Sequence, residues 1–174
     1  MKGVQKIATP MLLPSLYVAY IDGASQSHGS RCGAGGQIII NASHKKIWKL
    51  NLGASSNTKG ELVGLWALLH IARSCGISKI QILGDSEVII SWFEGAQELN
   101  VISLGFWKRH IRTLKGDFKF VQARHIYREH NSVANILSKQ ALDADYNCLF
   151  WWSTMEDHSG IRHCYPLENM VSSL

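Results

Sequence analysis

This chain lacks close-set cysteines, long apolar runs and, over one stretch, almost all acid. Cysteines stand only at 32, 75, 148 and 164, with no Cys-x-x-Cys pair. That spacing argues against a disulfide scaffold or a zinc ribbon, and for reduced thiols in an intracellular protein. Cys148, His158, His163 and Cys164 could in principle meet a metal, but the grouping matches no finger or ribbon spacing. The strictly apolar runs extend only a few residues, too short to cross a membrane, and the N-terminus has no signal-peptide core with a small-residue cleavage site. Hydrophobic content of 46% and charged content of 18% over 174 residues fit one globular domain and not a disordered chain. From Lys108 to Arg128 seven Lys or Arg (108, 109, 112, 115, 119, 124, 128) face a single acid, Asp117. A solvated basic face accounts for such a run; so does a polyanion partner, which the interleaved Trp107, Phe118, Phe120 and Tyr127 favour.

What is present is organised around Leu16 to Ser25. Leu-Tyr-Val-Ala-Tyr-Ile has the length and β-rich composition of a strand buried on both faces, and it stops at Asp22. Asp-Gly is a strong turn dipeptide, so Asp22 either begins a hairpin or meets a cation. Residues 23 to 36, with glycines at 23, 29, 33, 35 and 36, read as a turn-rich connection. A strand over 37–41 follows where a phosphate-cradling loop would need a helix, so a dinucleotide fold is disfavoured. A third strand, Ile47–Leu52, pairs with it as a hairpin.

Asn57 to about Ser74 is the clearest helix, apolar nearly all round, with Trp66 in the core and Gly76 as its stop. Glu61 in its first turn matches a capping box with Thr58. A fourth strand from Lys79 ends at Asp85, which can cap the helix of about 87–94, where Trp92 is another core residue. Strand, helix and strand imply a right-handed parallel crossover, placing Asp22 and Asp85 at one carboxyl edge. A helix over 99–115, a strand over Phe118–His125 and a last helix capped by Asn131 or Ser132 complete the order. The last helix carries Val133, Ile136, Leu137 and Ala141 as its apolar stripe, and Asn131 and Asn135 share a face. His28 in the glycine-rich loop reads as solvent-exposed, and so does His125 taken alone.

These elements, with Ile21-Asp-Gly-Ala-Ser25, Gly33-Ala-Gly-Gly36, Asn57-Thr-Lys-Gly-Glu-Leu62, Gly84-Asp-Ser86, Arg124-His-Ile-Tyr-Arg-Glu-His-Asn131 and Val133-Ala-Asn-Ile-Leu-Ser-Lys139, resemble the ribonuclease H type 1 family. The likeness is to the plant-type version at the ends of non-LTR retrotransposon polyproteins, over about residues 16 to 142. It implies an α/β fold with a five-stranded mixed sheet, three antiparallel meander strands plus two parallel ones, flanked by helices. The domain would cover 15–142, after a flexible leader at 1–14 and before an extension at 143–174 that packs back on it.

The resemblance further implies an enzyme hydrolysing the RNA strand of RNA·DNA hybrids with two Mg²⁺ or Mn²⁺ ions, acting as a monomer or within a reverse transcriptase polyprotein. One ion would activate water and the other stabilise the leaving oxygen. Asp22, Glu61 and Asp85 would be metal ligands, and His125 would assist at the site mouth. Ser25, Asn57 and Asn131 would touch nucleic acid, as would Lys108, Arg109, Arg112, Arg124 and Arg128 of the basic stretch. Asn135 stands where the family has a fourth Asp. An amide oxygen still coordinates a hard cation, but one negative charge is lost, which predicts a weaker metal and lower activity. The rival reading is a decayed nucleic-acid-binding module of retroelement origin; a third is an unrelated α/β domain with three capping acids.

Overall fold

The computed structural model describes residues 16–155, 158–159 and 163–168, with backbone only at 155, 158 and 159. The leader expected at 1–14 lies outside them. Strands β1 (Tyr17–Gln26), β2 (Arg31–Ile39) and β3 (Lys45–Gly53) form an antiparallel meander. Helix α1 (Asn57–Ser74) then crosses to β4 (Lys79–Gly84), parallel to β1, and helices α2 (Glu87–Phe93) and α3 (Gly105–Gly116) lead to β5 (Phe120–His125), parallel to β4. Helix α4 (Ser132–Gln140) follows.

The chain then adds β6 (Cys148–Met155) against β3, with β7 (His158–Ser159) and β8 (His163–Pro166) both pairing with β6. The sheet order is β5-β4-β1-β2-β3-β6-β7 with β8 beside β6, so eight strands are described where the sequence suggested five. Aromatic cross-strand packing explains the addition: Trp151 lies opposite Trp48. Alternating residues of β1 separate the layers. Ala19 and Ile21 join the main core with α1, whereas Val18 joins Leu83 and Ile126 in a smaller cluster on the other face, where α4 packs. Helix α1 is buried along most of its length, Trp66 included, as its all-round apolar sequence requires.

Three local readings are corrected. Strand β1 does not stop at Asp22: it continues to Gln26, and Asp22 pairs with Gly35 in mid-ladder. Of the glycines read as turns, Gly23 is in β1 and Gly33, Gly35 and Gly36 are in β2, where space forbids a side chain. A Cβ at Gly35 would lie 2.7 Å from Leu137 C and Ser138 N of α4, and one at Gly36 would lie 2.7 Å from the Trp48 ring. The turn itself is only Ser27–Gly29, all three with positive φ. Finally, α4 buries Ala134, Leu137 and Ser138, with Ala141 buried just past its end, while Val133 and Ile136 of the expected stripe are 40% and 55% exposed.

Candidate active site

The parallel register builds the site. Ile21 pairs with Gly84, and Gly84 with His125, so the residues that follow the first two, Asp22 and Asp85, emerge side by side at the carboxyl edge. Glu61 joins them from near the N-terminus of α1, just past its first turn. Its approach depends on Gly23, where a Cβ would lie 2.9 Å from Glu61 N. The result is one anionic cluster, in which carboxylate oxygens of Asp22, Glu61 and Asp85 all lie within 4.8 Å of one another.

Capping explains none of the three. The N-cap of α1 is Ser56, whose hydroxyl accepts from Lys59 N at 3.1 Å, so the Thr58–Glu61 box is not formed. The cap position of α2 is Ser86 and not Asp85. Asp22 and Glu61 are 3% and 5% exposed, burial that bare carboxylates resist. Burial, then the charge of Asp85 and a hydrogen bond shared with it, pushes Asp22 up to about 6, against the lowering pull of Asn135 and the Gly23 N–H. Burial, then the charges of Asp22 and Asp85, holds Glu61 well above the usual carboxylate range. Without a counter-charge the cluster therefore holds its protons more tightly than free carboxylates do.

Helix α4 braces the cluster from the side. Asn135 Nδ2 donates to Asp22 Oδ2 at 2.9 Å, and the Ser138 hydroxyl lies 3.3 Å from the same oxygen and 2.8 Å from Asn135 O. Asn131 occupies the cap position of α4, but its Nδ2 donates to Ile21 O at 2.8 Å. It is 1% exposed, so it acts as a strut beneath β1 and not as the nucleic-acid contact expected of it. His125 Nε2 lies 2.9 Å from Asp85 O. A carbonyl only accepts, so Nε2 carries the proton in that contact.

The acids open into a cleft of about 610 Å³ lined also by Ser25, Gln26, Asn57, Ser86, Arg128 and Lys139. Of the five expected basic contacts only Arg128 lines it. Lys108 is tied to Leu99 O at 2.6 Å and Arg112 lies 5.5 Å over the Trp92 ring, so these serve the α2–α3 packing. Arg109 on α3 and Arg124 on β5 do not line the cleft. The basic run is thus divided by the fold, and Trp107, counted among its interleaved aromatics, is buried. Lys139 and Ser138 were missed. The signal was their spacing, four and three residues after Asn135, which puts all three on adjoining parts of one helical face.

A family model described as reverse transcriptase-like matches residues 20–141. The chain belongs to that family. Its domain is of the ribonuclease H type 1 kind: it is 28% identical over 127 residues to ribonuclease HI of Halobacterium salinarum, covering 72% of this chain and 63% of the relative. The chain thus spans just under two thirds of that curated relative. The crystal structure of RNase H1 from Halobacterium salinarum NRC-1 superposes with a TM-score of 0.66 at 27% identity, over 73% of this chain and 97% of that one. LC11-RNase H1, a compost metagenome protein solved in complex with an RNA/DNA hybrid, has the same fold at TM-score 0.66 and 22% identity, over 73% and 96% of the two chains. In this ribonuclease H domain the donor set suits a hard divalent cation. Three converging carboxylates offer only oxygen, and their mutual repulsion and burial are relieved by positive charge.

Proposed function

We propose that this domain hydrolyses the RNA strand of RNA·DNA hybrids, using two divalent ions, Mg²⁺ or Mn²⁺. The observation that carries the reading is the convergence of Asp22, Glu61 and Asp85 within 4.8 Å, at the carboxyl edge of two parallel strands and beside a cation-lined cleft. Divalent ions bound there would lower the pKa of water and offset charge on the leaving oxygen. Asp22, Glu61 and Asp85 would hold them, with Asn135 contributing its amide oxygen only if the side chain turned from its present donor contact with Asp22.

Arg128 and Lys139 would attract the backbone phosphates, and Ser25 and Asn57 in the same cleft would fix the register of the strand to be cut. His125, anchored on Asp85 O, would lie beside the departing group and orient Asp85. Shape and 2′-hydroxyls, not base sequence, would select the substrate. The description of the matched family supports an origin in a reverse transcriptase polyprotein.

One observation favours a second reading, a nucleic-acid-binding module without cleavage: at the fourth position an N–H points at Asp22 where a carboxylate would add charge. A labelled hybrid incubated with Mg²⁺ and then Mn²⁺ separates the two. Cleavage by the wild type, abolished in Asp22→Asn, supports the nuclease. No cleavage by the wild type, with cleavage regained in Asn135→Asp, supports the module and keeps the site. Equal cleavage by Asp22→Asn and wild type overturns the site itself.

A further inference from the structure

The strands added after α4 carry two cysteines that the acid cluster does not use. In the antiparallel β6–β8 pair Phe150 lies opposite Cys164 and Cys148 opposite Pro166. Side chains alternate faces along a strand, so Cys148, Phe150 and Cys164 share one face, with the two cysteines as diagonal neighbours. Burial, then the neighbouring Cys164, pushes the Cys148 thiol up.

Cys164 is exposed and Cys148 half-buried, so reagents in solution reach the pair. The other two cysteines sit elsewhere. Cys32 is fully buried and its Sγ lies 3.5 Å from Ser56 O, while Cys75 caps the far end of α1. Among the described strands β8 pairs with β6 alone, so closing the bond draws on the β6–β8 ladder and on no other.

We propose that Cys148 and Cys164 form an intramolecular disulfide when the protein meets a low-molecular-weight disulfide oxidant such as glutathione disulfide. The exposed Cys164 thiolate attacks one sulfur of the oxidant, forming a mixed disulfide and releasing one glutathione thiolate. Cys148 then loses its proton, attacks the Cys164 sulfur and displaces the second glutathione thiolate. Two cysteines lose two electrons and two protons, and one glutathione disulfide becomes two glutathione thiols. The bond staples β8 to β6, and through β6 to β3, by closing the intervening loop in the unfolded chain as well.

The full chain is incubated with excess glutathione disulfide, freed of reagent and denatured for thiol titration. The count falls from four, the number of cysteines in the chain, to two, and the intact mass falls by two hydrogens. A digest yields one peptide pair joined through residues 148 and 164, and the thermal midpoint rises by several degrees until dithiothreitol restores it. Cys75→Ser gains the same rise. Cys148→Ser keeps a single glutathione adduct on Cys164 and gains none. Retention of four free thiols, a bridge that involves Cys32 or Cys75, or an equal midpoint rise in Cys148→Ser overturns the proposal.

Discussion

Asn135 gives an amide N–H to Oδ2 of Asp22 across 2.9 Å, so the residue at the fourth position of the cluster acts on a neighbouring ligand as a donor. Replacing it with Asp exchanges a favourable contact for a fourth negative charge. In chelator, Asn135→Asp melts below the wild type. In Mg²⁺ it gains more in midpoint and cuts a hybrid at lower metal concentration than the wild type requires. Paired metal titrations of melting and cleavage check this, and a variant whose metal dependence equals the wild type's contradicts it.

The raised acids make metal-free stability depend on pH with an unusual sign. Asp22, ordinarily near 3.8, is held at about 6 in the folded chain, and Glu61 is shifted the same way. The folded state therefore binds these protons more tightly than the unfolded state does. Their contribution is complete below about pH 4 and is lost as pH rises through about 6. With chelator present, the midpoint of the wild type declines over that window relative to Asp22→Asn, and saturating Mg²⁺ removes the decline. Melting curves of the two proteins at pH 4.5, 6 and 7.5 (roughly spanning the window) provide the check.

Gly35 sets how closely α4 lies on the sheet. A Cβ there would stand 2.7 Å from backbone atoms of Leu137 and Ser138, which cannot rotate away as a side chain would. Gly35→Ala should cost about 1–3 kcal/mol by overpacking. It should also weaken metal binding, because the displaced helix carries Asn135 and Ser138 away from Asp22. Denaturant melts and Mn²⁺ titration read the two effects separately, and a change in stability without one in metal affinity would leave the bracing role unsupported.

Charge in the cleft and charge on α3 should separate under salt. Arg128→Ala and Lys139→Ala each weaken hybrid binding and lower the salt slope by about one. Arg112→Ala should leave that slope intact and reduce stability instead, because its guanidinium covers the Trp92 ring. Binding isotherms at three salt concentrations, with a melt of each variant, distinguish these outcomes.

Much of the site was legible because it rests on local patterns that parallel topology brings together. An apolar strand leading to Asp22, a second leading to Asp85, and a buried helix between them suffice to put those acids at one edge. The positions of the glycines were misread because their reason is non-local: Gly35 answers to a helix about a hundred residues later, and nothing beside it in sequence announces that neighbour. The intramolecular contacts of Arg112 and Lys108 were illegible for the same cause, since Lys and Arg stems cover apolar surface as readily as they meet phosphate. Asn131 has the sequence of a cap, but the buried Ile21 carbonyl claims its amide. Strands β6 to β8 escaped notice because aromatic pairing with β3, not a clean alternation, recruits β6, and β7 and β8 pair with β6 in turn.

The position of Asp22 inside a continuous ladder has a last effect. With Ile21 bonded opposite Gly36 on one side and Gly23 opposite Ala34 on the other, its backbone has no slack with which to retreat from Asp85 or Glu61. An arriving cation therefore finds its oxygens already assembled and loses no affinity to arranging them. Shedding of the ion's own hydration shell, in place of any rearrangement of the polypeptide, should then set how fast it is taken up.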